Sequence, residues 1–141
     1  MIVLDTDHVT VLRYEEDSRY PILTERLKQS DDERLVVSVI TVEEQMRGWL
    51  SENHGLRDIQ DQIEPYNHLA EMIEFLTGWE IIRLDQFATA EYARMQKQKI
   101  RVAPQDLKIA SIALSNNALL LSANLKDYEK VPGLRVENWL E

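Results

Sequence analysis

Short apolar runs alternate along this chain with stretches whose apolar residues recur every three or four positions. That is the pattern of strands interleaved with helices. Ile2 to Leu4 reads as a first strand, followed by a helical stretch carrying Val9, Val11 and Leu12. Tyr20 to Leu27 reads as a second helix, begun by Pro21 near its first turn, where a missing N–H costs nothing. Leu35 to Val39 is a β-branched second strand, and from Thr41 the pattern turns helical, with Val42, Met46, Trp49 and Leu50 on one face. A long amphipathic stretch runs from Leu56 to Leu76, where Pro65 should kink the helix or divide it in two and Gly78 closes it. Glu80 to Leu84 is a third strand, and Asp85 caps a helix running to about Lys99. Gln105 to Asn116 is a further helix, Ala118 to Leu121 a fourth strand, and Leu134 to Val136 an edge strand. The expectation is an α/β domain over residues 1–141 with a central, mainly parallel sheet of four to five strands covered on both faces.

The candidate chemistry sits at the ends of these runs. Asp5 follows the first strand, Glu44 lies early in the helix after the second, Asp106 opens a later helix, and Asn124 and Asp127 follow the fourth strand. Open parallel sheets place their chemistry at the carboxyl ends of strands. Carboxylates gathered there repel one another unless a hard cation sits among them, and Mg²⁺ or Mn²⁺ is the usual solution. The pattern points to a metal-dependent enzyme acting on phosphodiesters.

Each residue also has a plainer reading. Asp5 and Asp7 are good N-caps, and of the two Asp7 is the one expected to cap or orient without touching metal. Thr41 to Glu44 fits a capping box, with Glu43 as the alternative acid should the helix start one residue away. Asp106 suits a first helical turn, and Asn124 and Asp127 suit a turn or a single helical turn, with Ser122 able to orient a ligand. His8, His54 and His68 lack metal-ligand spacing and read as surface or helix-face histidines.

Composition narrows the classes. The 141 residues contain no cysteine, which removes disulfides, thiolate zinc and a cysteine nucleophile. MIVLDTDH is no signal peptide, no apolar run is long enough to span a bilayer, and a cytoplasmic protein is expected. A net charge of −9 is unusual for a nucleic-acid enzyme. Bound cations would reverse the local sign, and Arg94, Lys97, Lys99 and Arg101 form a local basic run that also reads as a solvated helix end. The acidic surface suits a basic protein partner. No Gly-rich phosphate loop or G-x-S-x-G turn is present.

Taken together, MIVLDTDHV, SVITVEEQMRG and VAPQDLKIASIALSNNALLLSANLKDYEKVPGL resemble the PIN-domain family, and within it the VapC-type toxins of bacterial toxin–antitoxin pairs. The resemblance covers nearly the whole chain and is most specific in the C-terminal block. It implies an α/β/α sandwich and a Mg²⁺-dependent endoribonuclease, with Asp5, Glu44 and Asp106 as the metal-holding acids. Asn124 stands where the wider family often has Asp, and with Asp127 it would complete the shell or position the attacking water. It further implies a homodimer and an antitoxin partner with a basic or Arg-bearing segment, for which the helices between Trp49 and Leu76 are candidate contacts. Three rival readings remain: a DNA-cutting nuclease, an acidic module that binds a basic peptide, and a receiver domain. The receiver would want a central Asp after the third strand, where only Asp85 stands, and an isolated fifth-strand Lys.

Overall fold

The computed structural model describes residues 1–32 and 34–141. Five strands form one sheet: β1 (Ile2–Leu4), β2 (Leu35–Ser38), β3 (Glu80–Ile82), β4 (Leu119–Leu121) and β5 (Arg135–Glu137). Their order is β3-β2-β1-β4-β5, and every neighbouring pair is parallel. Helices α1 (Thr6–Arg13), α2 (Tyr20–Gln29), α3 (Val39–Asn53), α4 (Ile63–Thr77), α5 (Gln86–Lys97), α6 (Pro104–Ser115) and α7 (Leu125–Tyr128) make the crossovers and cover the sheet, giving the expected α/β/α sandwich.

The central strands are apolar up to Ser38 at the end of β2, because both of their faces are buried. Register puts Val36, Val3 and Leu120 on one face, against Met95 of α5 and Leu107, Ala110 and Ala113 of α6. Val37, Leu4 and Leu121 point the other way, against Val9, Leu23, Met72 and Trp139. Each such aliphatic side chain contributes roughly 1.5–3 kcal/mol by leaving water. Small residues on α6 let it lie close to the sheet, and α5 packs along it.

Several boundaries differ from the sequence reading. β2 stops at Ser38, and α3 begins at Val39 instead of Thr41. Ser38 is the N-cap: its Oγ accepts the Thr41 N–H at 3.2 Å. Thr41 is therefore inside the helix and buried, and the capping box expected between Thr41 and Glu44 does not form. The amphipathic stretch is divided at Pro65, which occupies the first turn of α4, behind a short 3₁₀ turn at Ile59–Gln62. There its missing N–H is tolerated. β3 ends at Ile82, and Asp85 caps α5 as expected, accepting from Phe87 and Ala88.

β1 lies at the point where strand order reverses, with β2 on one side and β4 on the other. In open α/β sheets the crevice outside the carboxyl ends at such a switch point is the place for a ligand.

Candidate active site

The residues that follow β1 and β4 share this crevice. Asp5 continues the ladder by donating its N–H to Leu121 O at 2.9 Å, then turns into α1 as its N-cap. Its Oδ1 accepts the Thr6 N–H and its Oδ2 the Ser122 hydroxyl, both at 2.8 Å. The N-cap reading of Asp5 holds, and because the cap position is the strand end the same carboxyl also faces the crevice. Asp5 as a whole is 7% exposed. Burial, then the negative charge of Asp7, pushes its pKa up to about 7 against the pull of its two hydrogen bonds.

Asp106 stands in the first turn of α6. Tyr128 Oη and Asn124 Nδ2 approach its two oxygens at 3.4 Å, too long for strong bonds. Burial, followed by the charges of Asp127 and Asp7, raises its pKa as well. Tyr128 is wholly buried, and burial together with the charges of Asp5 and Asp106 holds its hydroxyl in the protonated, donating form. Glu44 projects from α3 across to α1, where the Thr6 hydroxyl donates to its Oε2. Glu43, the alternative acid, points elsewhere, to Gln105 and Arg47.

Asp5, Glu44, Asp106 and Asn124 line one cleft of about 430 Å³, together with Thr6, Asp7, Thr10 and Arg19. Asp127 is not among these lining residues. It accepts from Asn124 Nδ2 at 3.1 Å and from Lys130 Nζ at 3.0 Å, and the Lys130 bond holds its carboxyl below the usual range. It orients Asn124 from behind.

The cleft also holds residues given lesser parts by the sequence. Asp7 faces it, with Oδ2 accepting the Ala123 N–H at 2.8 Å and Oδ1 bonded to His8 Nδ1 at 2.5 Å. Burial opposes its ionisation, but the His8 and Ala123 hydrogen bonds outweigh this and keep its carboxyl below the usual range. His8 is not the surface or helix-face residue expected: it is completely buried. Its Nε2 accepts the Trp139 N–H at 3.2 Å, which leaves the ring proton on Nδ1 for Asp7. Contacts to residue 139 from residue 8 leave no trace in local spacing. Arg19, from the loop before α2, is held by Asp17 through Nε at 2.9 Å and Nη2 at 2.8 Å. The sequence offers an Asp-x-Arg pair as the only hint of it.

The donor set fits a hard divalent cation. The acid, amide and hydroxyl oxygens are hard ligands; burial first, and then repulsion from neighbouring carboxylates, raises Asp5 and Asp106, and a cation relieves that repulsion. Among the described residues, no three Asp, Glu or His side chains form a ready-made cage. Mg²⁺ does not demand one, since it commonly takes one or two carboxylates and keeps several waters.

Comparison with known proteins bears on what such a cleft does. No family model matches the chain. Ribonuclease VapC1 of Haemophilus influenzae strain R2866 is 30% identical over 138 residues, spanning 97% of this chain and 96% of that one. The chain belongs to the VapC ribonuclease family. The tRNA(fMet)-specific endonuclease VapC of Salmonella typhimurium is 26% identical over 110 residues, 75% of this chain and 76% of that protein. The VapBC-1 structure from nontypeable H. influenzae superposes with a TM-score of 0.78 at 25% identity, over the full length of both chains. DNA-bound VapBC from S. typhimurium shares the fold, with a TM-score of 0.75 at 24% identity over 98% of this chain and 97% of that one. The sheet order is that of the shared fold.

Proposed function

We propose that this protein is a Mg²⁺-dependent endoribonuclease, the toxin of a toxin–antitoxin pair acting in the cytoplasm, with Mn²⁺ able to substitute. The observation that carries the reading is the meeting of Asp5, Glu44 and Asp106 in one cleft of a VapC-family chain. Asp5 and Asp106 would hold the cation directly, and Glu44 directly or through water. Bound there, the cation would supply activation of water and neutralisation of charge developing on phosphorus.

The chain's own residues prepare that chemistry. Ser122 and the Thr6 N–H fix the Asp5 carboxylate, and the Thr6 hydroxyl fixes Glu44. Asn124, steadied by Asp127, offers an amide donor beside Asp106 without adding another negative charge. Ala123 and His8 hold Asp7 at the cleft wall in its ionised form, where it adds a further negative oxygen facing the site. A relative specific for tRNA makes tRNA the first RNA class to try.

The protein partners follow from shape and charge. The solved relatives include VapBC complexes. An antitoxin with a basic or Arg-bearing segment complements the acid cleft and the net charge of −9. Met46, Leu50, Ile63, Tyr66 and Ile73 on α3 and α4 are each about half exposed, an apolar set of the kind that marks an interaction face. That face serves the antitoxin and a second copy of this chain.

The test is cleavage of total RNA with Mg²⁺ and with EDTA, comparing wild type with Asp5→Ala. Cleavage that requires the metal and falls by about a hundredfold or more in the variant is expected, the scale of losing charge stabilisation at a reacting phosphate. Undiminished cleavage by a folded Asp5→Ala protein would refute the assignment.

A further inference from the structure

The acid cleft continues past Glu44. Thr6, Thr10 and Glu44 also wall a second depression of about 340 Å³ that runs between α1 and α3. Arg13 and Tyr14 lie on its α1 side, Gly48 and Trp49 on its α3 side, and buried Met72 of α4 contributes to its lining. Its size falls in the small-ligand range, roughly 300–1,000 Å³.

Three features of the groove point to an occupant. Gly48 sits inside a 15-residue helix without a positive φ, and a Cβ there would meet nothing within 4 Å. Neither backbone nor packing requires glycine at this position, and a helix interior disfavours it. Its missing side chain leaves the groove open. Arg13 provides a cation whose hydrogen-bond partner is an amide. Its Nη1 donates to Gln45 Oε1 at 2.5 Å, and its guanidinium lies 5.5 Å from the Tyr14 ring centroid. Arg19, Arg34, Arg47 and Arg94, by contrast, each pair with a carboxylate. The Trp49 ring is fixed, by its Nε1–H to Pro65 O at 2.6 Å and by an edge contact with Tyr66 at 5.6 Å.

We propose that this groove is a subsite for one nucleotide of RNA flanking the scissile bond. Arg13 contacts a phosphate, Tyr14 and Trp49 offer ring faces to the base, and Gly48 makes the room. Unpaired bases are commonly taken up by aromatic faces and guanidinium planes. Continuity with the acid cleft is the decisive geometry, since a strand whose phosphodiester lies among Asp5, Glu44 and Asp106 passes next along Thr6 and Thr10. Glu52, the other carboxylate on this wall, is already bonded by His68 Nδ1 at 2.7 Å. A basic antitoxin segment drawn to the acids would meet Arg13 here, whereas an anionic strand gains it.

The proposal rests on the ribonuclease reading, and its test separates the two. A synthetic RNA that the wild type cleaves is shortened one nucleotide at a time from either side of the cut, and steady-state kinetics are measured for wild type, Gly48→Met and Arg13→Gln. Gly48→Met should raise KM about tenfold with little change in kcat, the scale of losing one stacked base. Removing the flanking nucleotide should do the same to wild type and have no further effect on Gly48→Met. Arg13→Gln should raise KM and flatten its salt dependence, as loss of one phosphate contact does. Circular dichroism melts establish that both variants are folded. A wild type that cuts no RNA with Mg²⁺ or Mn²⁺ defeats the ribonuclease reading, and this subsite with it. A wild type that cuts, beside folded variants with unchanged KM, overturns the subsite alone. If those variants instead no longer co-purify with the co-expressed antitoxin, the groove belongs to a protein partner and the proposal is equally overturned.

Discussion

Two neighbouring regions of the sheet have opposite characters. In its interior, Val3, Val36 and Leu120 form a wholly buried apolar row against α5 and α6. Just past the ends of β1 and β4 stand Asp5 and Ser122, both buried, with Asp5 in a cleft with Asp7 and Asp106 and Ser122 bonded to it. The interior gains stability from each residue it buries. At the carboxyl edge, like charges crowd until burial and repulsion raise the pKa of Asp5 and Asp106. A few ångströms of the same strands therefore separate the part that stabilises the fold from the part that spends stability on a reactive site.

The contrast sharpens most under Leu120→Ala. This removes a wholly buried side chain from the central layer and should cost about 2–5 kcal/mol. Urea unfolding measures the loss, and specific activity per folded molecule should stay near wild type. A large fall in activity without lost stability would mean that the two regions are not separable.

Asp5→Asn should work in the opposite sense. In EDTA, wild-type Asp5 is neutral in both folded and unfolded states below about pH 4. As pH rises from about 4 to about 7 the unfolded chain ionises this carboxyl while the folded protein keeps it protonated, so the wild type loses stability across that window and the loss is complete above it. The variant has no such group. It should be more stable than wild type at pH 8, by something on the order of 4 kcal/mol, with a gap that closes by pH 4. RNA cleavage should be lost in the same protein. Equal melting temperatures at both pH values would remove the claim that the edge is a destabilised region.

Asp127→Ala should have the smallest effect. Asp127 stands behind Asn124 at the surface and pairs with Lys130, so its removal loosens Asn124 without removing a cleft acid. A severalfold fall in kcat with unchanged KM and melting temperature is expected from single-turnover and steady-state kinetics. A loss as deep as that of Asp5→Ala would move Asp127 into the cleft itself.

What was legible in the sequence follows a physical divide. Strands buried on both faces must be apolar, so β1, β2 and β4 are visible as runs, and the acid after each or in the helix that follows is visible as an interruption. Asp85 as the cap of α5 was legible for the same local reason. The start of α3 was not, because Ser38 and Thr41 are both good caps and only the end of the β2 ladder selects Ser38. Pro65 was compatible with a kink or a break, and the 3₁₀ turn ahead of it decided for a break.

By itself the chain determined the order of its elements, the all-apolar centre of its sheet and the supply of acids at the strand ends, because these depend on local periodicity and burial. Tertiary structure decided which of those acids meet. It placed Glu44 against Thr6, kept Asp127 behind Asn124, buried His8 between Asp7 and Trp139, and carried the cleft on between Arg13 and Gly48. Such pairings join residues distant along the chain, and their geometry exists only once the parallel crossovers have closed.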